Sequence, residues 1–227
     1  MVRLAALALG VLLALCLAPA GATSGAVRSA DREVERPRML DDRISFGAER
    51  KRQTARYSKR HYGERDWRLE DPRAVVLHWT AGRSWEGARD VFAANRPSLG
   101  ERPGVCAHYI IEKSGKIHLT VSERIRCRHA IGLNWTAIGI EFVQEAKGSS
   151  AATDRVILGR RRQMRTGLRL VAYLRDRYDI KTGDVIGHAT ANDSPLFRER
   201  RGWRNDHSDW GGAAARKFRA ELRKRFG

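Results

Sequence analysis

Long apolar segments are scarce in this chain of 227 residues, and the one extended run, Leu4–Leu17, is shorter than the ~20 residues that a membrane-spanning helix needs. A single Arg precedes this run, and two A-x-A triplets follow it and end at Ala22. This order predicts a secretory signal peptide over residues 1–22, and hence a periplasmic or secreted protein without stable membrane insertion. A membrane anchor and lipid attachment at Cys16 are the alternatives, although the bulky Leu15 disfavours lipid attachment.

Cysteine is also scarce, with three residues in the whole chain. Removal of a signal peptide would discard Cys16 and leave Cys106 and Cys127, which are too far apart in sequence for the tight spacing of a zinc knuckle. Because exported proteins work where disulfides persist, we expect these two residues to be bridged. A pair of metal thiolates is the less favoured alternative.

Lysine and acidic residues are few. Only 8 of the 44 basic residues are Lys, and 26 acidic residues leave a formal net charge of +18. Such a charge raises nucleic acid as a partner, but export and the lack of aromatics interleaved with the basic residues argue against it. We therefore expect no nucleic-acid partner, and an attraction to anionic polymers of the cell envelope instead. Nothing in the sequence requires more than a monomer.

The patterning after the leader divides the chain in two. Residues 23–65 are densely charged with almost no apolar periodicity, which predicts a linker or loosely ordered arm. Residues 66–227 mix strand and helix patterns, so the class is α/β. The predicted strands are AVVLHWTAG, the hairpin HYIIEKSGKIHLTV, AIGIEFV and DVIGHA; the predicted helices are SWEGARDVFAAN, ILGRRRQMRTGLRLVAYLRDRYDI and AAARKFRAELRKRF; KGSSAATD is a predicted break and residues 190–210 are a predicted loop.

Two of the seven histidines end predicted strands. His78 ends VVLH and His188 ends VIGH, and the loop after His188 contains Asp206, His207 and Asp209. A catalytic zinc site needs three nitrogen or oxygen ligands and one open position, which two histidines and a loop carboxylate would supply. A histidine at a strand end is, taken alone, more often structural. Three other histidines are assigned no metal role: His61, His108 and His118.

The strand AIGIEFV presents two different faces. Alternation places large apolar side chains on one face and Ala137, Gly139 and Glu141 on the other. An acidic group beyond two small residues suggests a carboxylate in a cleft with room for a substrate. The alternative is a surface Glu on an edge strand, which the nearby histidine pattern disfavours.

At this point the chain resembles the zinc-dependent N-acetylmuramoyl-L-alanine amidases of type 2, a family that includes a phage lysozyme and the peptidoglycan recognition proteins. The resemblance covers residues 72–210. It is carried by ordered blocks across one domain, namely VVLHWTAG, AHYIIEKSGKIHLTV, RHAIGLN with AIGIEFV, RYDI with VIGH, and DHSDW. It implies a single domain with a central mixed β-sheet flanked by helices, and hydrolysis of the amide between N-acetylmuramic acid and L-alanine.

The resemblance also implies residue roles. It makes His78, His188 and Asp209 the zinc ligands and Glu141 the group that activates water. His207 stands two residues before the third ligand, where the family usually has a Lys that steadies the oxyanion.

Further positions match the substrate groove of the family. The resemblance places His129 near the sugar and stem peptide and Trp79 on the groove floor. Ala107 stands where some members have a catalytic Tyr, a loss that Glu141 makes tolerable. A binding module of the same fold without catalysis is the alternative function.

The separation of His188 and Asp209 is longer than in compact members of the family and includes FRERRGWRN. Asp206 or His207 is therefore kept as an alternative third ligand.

Overall fold

The computed structural model describes residues 34–227. The predicted signal peptide, and Cys16 with it, lie outside the described residues. Among the helices of the described part, none is long and apolar enough to cross a membrane.

A six-stranded mixed sheet in the order β1-β4-β3-β5-β2-β6 forms the centre of the fold, which confirms the expected architecture. Only β3 and β4 pair antiparallel, as the predicted hairpin, and the other neighbours run parallel. The strands are β1 Leu40–Asp41, β2 Ala74–Ala81, β3 Tyr109–Ile111, β4 Ile117–Leu119, β5 Ala137–Glu145 and β6 Val185–Gly187; the helices are α1 Ala48–Tyr62, α2 Trp85–Ala93, α3 Ser150–Gly159, α4 Arg161–Tyr178 and α5 Gly212–Phe226.

The two faces of β5 separate the main core from the polar side of the sheet, as the alternation predicts. Ile138, Ile140 and Phe142 join the largest apolar cluster together with residues of α4 and α5. Gly167 allows the close approach of α4, because a Cβ there would lie 2.6 Å from the Phe142 ring. Glu141 faces the opposite side, so the helices of the main core stabilise a sheet whose other face carries polar groups.

The single long helix predicted over residues 157–180 is wrong, because two helices meet at Arg160. Its backbone is non-helical, with φ −86° and ψ 88°. The first helix begins inside the predicted break KGSSAATD, where the hydroxyl of Ser149 accepts from the amide of Ala152 and so caps α3. Polar residues that predict a break between elements therefore mark the start of a helix in this segment.

Cys106 and Cys127 form the expected disulfide, with Cα atoms 5.4 Å apart. The bridge joins the segment before β3 to the segment before β5 and is buried in a second apolar cluster.

The loosely ordered arm predicted over residues 23–65 is wrong for residues 48–62, which form α1. The cause lies in polar side chains that find buried partners. His61 is fully buried, and its ring nitrogens lie 2.9 Å from Glu199 and 3.0 Å from Glu101. Its ring stacks on Tyr57 and contacts Trp203. The composition of residues 48–62 therefore indicates disorder, but contacts of His61 with Glu199 and Glu101, which are distant in sequence, order this segment as a helix.

We expect His61→Phe to lower the free energy of unfolding by ~3–5 kcal/mol, because it leaves the buried Glu199 carboxylate without its partner. The double variant His61→Phe with Glu199→Met removes both partners and should recover most of that loss. Urea unfolding followed by circular dichroism measures both values. A single variant as stable as the wild type would show that the contact between His61 and Glu199 does not hold α1 in place.

Candidate functional site

Parallel pairing brings the site together at one edge of the sheet. His78 on β2 and Glu141 on β5 are register partners, and Leu77 just before His78 pairs with Gly187 just before His188. Since the carboxyl ends of parallel strands meet at the same edge, Glu141, His78 and His188 lie in a row across three strands.

The loop after His188 adds Asp209 to this row. Nδ1 of His78 lies 3.0 Å from Nδ1 of His188, which lies 2.9 Å from Oδ1 of Asp209; the third edge, from His78 Nδ1 to Asp209 Oδ2, is 3.5 Å. Tetrahedral ligands on bonds of ~2.0–2.1 Å stand about 3.3 Å apart. The triangle therefore has the size that a tetrahedral metal requires, and these three buried residues are a group that could hold one.

The alternative third ligands lie differently. Asp206 and His207 are exposed. His207 stacks on the His188 ring with centroids 4.4 Å apart, and its Nδ1 is 3.9 Å from Asp209. The geometry thus favours Asp209 as the third ligand and places His207 on the rim of the site.

Backbone and side-chain contacts hold the long loop so that Asp209 reaches the histidines. The amide of Ala189 donates to the Asp209 carbonyl at 2.8 Å. The Trp210 indole donates to the His78 carbonyl at 3.0 Å. Gly187 is required at this crossing, because a Cβ there would lie 1.8 Å from the Trp210 carbonyl oxygen. These contacts therefore hold the loop that spans the 21 residues between His188 and Asp209.

Sequence reasoning missed Asp154, which fastens this loop to α3. Its carboxylate accepts from the amides of Trp210 at 3.1 Å and Gly211 at 2.9 Å. It also accepts from the indole of Trp79 at 3.2 Å. Trp79 lines the groove as expected, but its polar atom is used within the protein. No signal in the sequence distinguishes Asp154 from other acidic residues.

His129 lies against His78 as well as in the groove. Its Nε2 donates to the carbonyl of Ala137 at 3.2 Å, so in the neutral ring Nδ1 is an acceptor, 3.0 Å from Nε2 of His78. This orientation leaves the lone pair on Nδ1 of His78 free for a metal. The ring fills the space above Gly139, where a Cβ would lie 2.8 Å from it. Gly139 thus accommodates the His129 ring, and the space for a substrate lies in the groove that Glu141 and His129 both line.

Burial sets the charges of the site. It lowers the pKa of His78 to about 4, with repulsion from His188 second. It acts to raise the pKa of Asp209, but the contacts of Asp209 with His188 and His78 hold that pKa far below its ordinary value. Burial raises the pKa of Glu141 to about 8, and the charge on Asp209 adds to this. A neutral His78 beside an ionised Asp209 has the protonation states that a metal needs.

Glu141 has a polar atom whose hydrogen bonding is not satisfied within the described part of the protein. Its Oε2 is buried and has no hydrogen-bond partner among residues 34–227. A divalent cation on the neighbouring triangle would favour the ionised carboxylate. An unpartnered buried carboxylate beside a metal-sized triangle is the constellation of a hydrolytic site.

The site opens into a groove of about 580 Å³. Both apolar and polar groups line it, which suits a substrate with apolar and polar portions. The lining beyond the ligand triangle includes Trp79, Thr80, Phe92, Val105, Arg128 and His207.

Several solved structures are similar to this chain. The catalytic domain of XlyA has a TM-score of 0.51 at 14% identity, with 82% of this chain and 99% of that chain covered. An N-acetylmuramoyl-L-alanine amidase, LysCS from Clostridium intestinale, has a TM-score of 0.45 at 20% identity over 67% of this chain and 84% of that chain. A mutant endolysin from Bacillus subtilis has a TM-score of 0.48 at 14% identity over 82% and 98%. The first of these similarities shows the fold.

A search of curated proteins found no match. The profile of the family described as N-acetylmuramoyl-L-alanine amidase matches residues 68–211. This range includes every residue of the ligand triangle and Glu141, and it is more than half of the chain. The chain therefore belongs to the N-acetylmuramoyl-L-alanine amidase family and is a hydrolase of the peptidoglycan amide bond.

Proposed function

We propose that the protein is a zinc-dependent enzyme that cleaves the amide between N-acetylmuramic acid and L-alanine, working outside the cytoplasm as a monomer. The observation that carries the proposal is the triangle of His78, His188 and Asp209 beside the unpartnered carboxylate of Glu141. Two imidazoles and one carboxylate form a donor set that suits zinc.

Hydrolysis of an amide needs a strong nucleophile, a polarised carbonyl and a proton for the leaving amine. Zinc, when bound, supplies Lewis acidity that lowers the pKa of a water and polarises a carbonyl oxygen. Glu141 takes a proton from the attacking water as the new C–O bond forms. The same carboxyl then gives this proton to the nitrogen of L-alanine as the C–N bond breaks. The products are a glycan with a free lactyl carboxylate and a stem peptide with a free amine.

His129 acts in this scheme as a positioning residue for His78, through the hydrogen bond between their rings. Trp79 acts on the groove wall, where the carboxylate of Asp154 fixes its indole.

His207 is proposed to stabilise the oxyanion from the rim of the site. Desolvation at the rim of the site, followed by repulsion from His188, lowers the pKa of His207, so it acts by donating a hydrogen bond rather than by charge. We expect His207→Ala to lower kcat by ~10²–10³-fold with zinc content unchanged. His207→Lys should restore much of the rate, since a Lys ammonium can donate from the same position. Steady-state kinetics with elemental analysis measure both quantities, and zinc loss in the Ala variant would make His207 a ligand instead.

A non-catalytic recognition module is the alternative. The complete ligand triangle and Glu141 oppose it, because a module that only binds has no use for an uncompensated buried carboxylate.

The decisive experiment incubates the protein with purified peptidoglycan, with and without a zinc chelator, and identifies released fragments by mass spectrometry. Stem peptides with a free L-alanine amine, lost on chelation and restored by zinc, are the expected result. Binding to the wall without such release would establish the recognition module. Release that survives complete zinc removal would overturn the metal assignment.

A further inference from the structure

Two helices of the main core, α4 and α5, are strongly basic. Each carries six basic residues and one acidic residue. Both helices pack against Ile138, Ile140 and Phe142, on the face of the sheet opposite Glu141. The basic residues of these two helices therefore lie on the side of the sheet away from the proposed catalytic groove.

A groove of about 480 Å³ lies between these helices. We call it the α4–α5 groove. Its floor includes Met164 and Leu168, which are buried. Its walls present four cations, two from each helix: Arg161, Arg165, Lys217 and Arg225.

These cations are mostly uncompensated. The one acidic residue of the groove, Glu221, pairs with Arg225 at 3.2 Å. Within residues 34–227, Arg161, Arg165 and Lys217 have no carboxylate oxygen within 4.0 Å. Many other arginines of the described part are paired, including Arg43, Arg52 and Arg60 in short bridges.

In the described part of the chain, Arg161, Arg165 and Lys217 line one groove and have no carboxylate partner in it. Like charges that are gathered without partners favour an external polyanion, because it relieves the repulsion and releases counterions.

The side chains that line the α4–α5 groove limit the classes of polyanion that it can bind. Among the described residues the groove presents no aromatic ring on which a nucleobase could stack. Its apolar side chains are recessed rather than protruding, so it offers nothing to insert into a bilayer. Guanidinium groups match phosphate oxygens through paired hydrogen bonds. We propose that the α4–α5 groove binds a linear phosphodiester polymer of the cell envelope, of the poly(glycerol phosphate) type.

Such a site would anchor the protein beside its wall substrate while the catalytic groove, on the other face of the sheet, remains open. The inference uses the family's action on peptidoglycan only to choose the envelope as the source of the polymer. Binding in the α4–α5 groove requires neither zinc nor Glu141.

The test titrates the full protein with poly(glycerol phosphate) by calorimetry at several salt concentrations. The groove variant carries Arg161→Gln, Arg165→Gln and Lys217→Gln, with Gln chosen because it preserves helix propensity. A control variant removes the same charge from exposed residues elsewhere: Arg36→Gln, Arg38→Gln and Arg52→Gln. The groove variant should bind at least ~10-fold more weakly, with a reduced salt dependence, and the control should change by less than about twofold.

Equal losses in the groove and control variants would overturn the proposal, because net charge alone would then explain the binding. It would also be overturned if the wild type did not bind the polymer. Tighter groove-dependent binding to duplex DNA, or to phosphatidylglycerol vesicles, would overturn it in favour of another partner. Hydrolysis of a soluble muropeptide, measured in parallel, should be the same in all three proteins. If the wild type bound the polymer but did not hydrolyse the muropeptide, the result would count against the proposed enzyme and not against this groove.

Discussion

Replacing Glu141 by Gln is expected to lower kcat by ~10³-fold or more while zinc remains bound at one ion per chain. The amide keeps the shape of the side chain but cannot accept a proton from water or pass it to the leaving nitrogen. Elemental analysis and steady-state kinetics on a soluble muropeptide give the two values. Asp154→Asn is a useful comparison, because it alters a carboxylate that lies outside the reacting groups and should affect loop order first. Turnover at the wild-type rate in Glu141→Gln would remove Glu141 from the mechanism.

The same substitution should have the opposite effect on the stability of the metal-free protein. The folded-state pKa of Glu141, about 8, is raised above its ordinary value of 4.5. Its contribution to the free energy of unfolding is therefore fully present below pH 4.5 and is lost as the pH rises through 8. Glu141→Gln avoids this loss, so above pH 8 the metal-free variant should be more stable than the wild type by on the order of 1–3 kcal/mol.

Urea unfolding at several pH values checks this expectation. The difference between the two proteins should grow from pH 4.5 to 8 and shrink when zinc is added, because a nearby cation stabilises the ionised carboxylate. A difference that does not depend on pH would show that Glu141 is not the group that burial keeps neutral. Together, a loss of turnover and a gain of metal-free stability would identify a residue held in place for chemistry at a cost to folding.

Replacing Asp209 by Ala is expected to weaken zinc binding by at least ~100-fold, since even partners outside the ligand set change metal affinity by 10–100-fold. Competition with a fluorescent chelator measures the affinity without reference to activity. Asp206→Ala is the matched control, because Asp206 is exposed and outside the triangle. The zinc affinity of this variant should stay within about twofold of that of the wild type.

The reverse pattern, with zinc lost in Asp206→Ala and retained in Asp209→Ala, would mean that the loop rearranges on metal binding. Equal retention in both variants would point to His207 as the third ligand. Removal of Asp209 also takes away the hydrogen-bond partner of His188, so the metal-free variant should unfold more easily than the wild type at neutral pH.

The sequence by itself determined the central strands, the hairpin, the faces of β5 and the position of the histidines at strand ends. These features follow from local periodicity and from ordered motifs, which the backbone obeys wherever a buried face is available. The resemblance of the ordered blocks to the amidase family implied the roles of His78, His188, Asp209 and Glu141. The disulfide between Cys106 and Cys127 followed from the expectation that two cysteines remain in an exported chain.

Only the tertiary structure decided the arm, the loop and the support of the ligands. Residues 48–62 form a helix because His61 finds two carboxylates from distant segments. Asp209 reaches the histidines because Asp154 and Trp210 fix a loop that carries no periodicity. His129 reaches His78 because Gly139, which has no side chain, leaves space for the His129 ring. Each of these contacts joins residues far apart in sequence, so forming it costs conformational entropy of the intervening chain. Burial and polar pairing in the folded protein offset this cost, and local sequence patterns do not encode them.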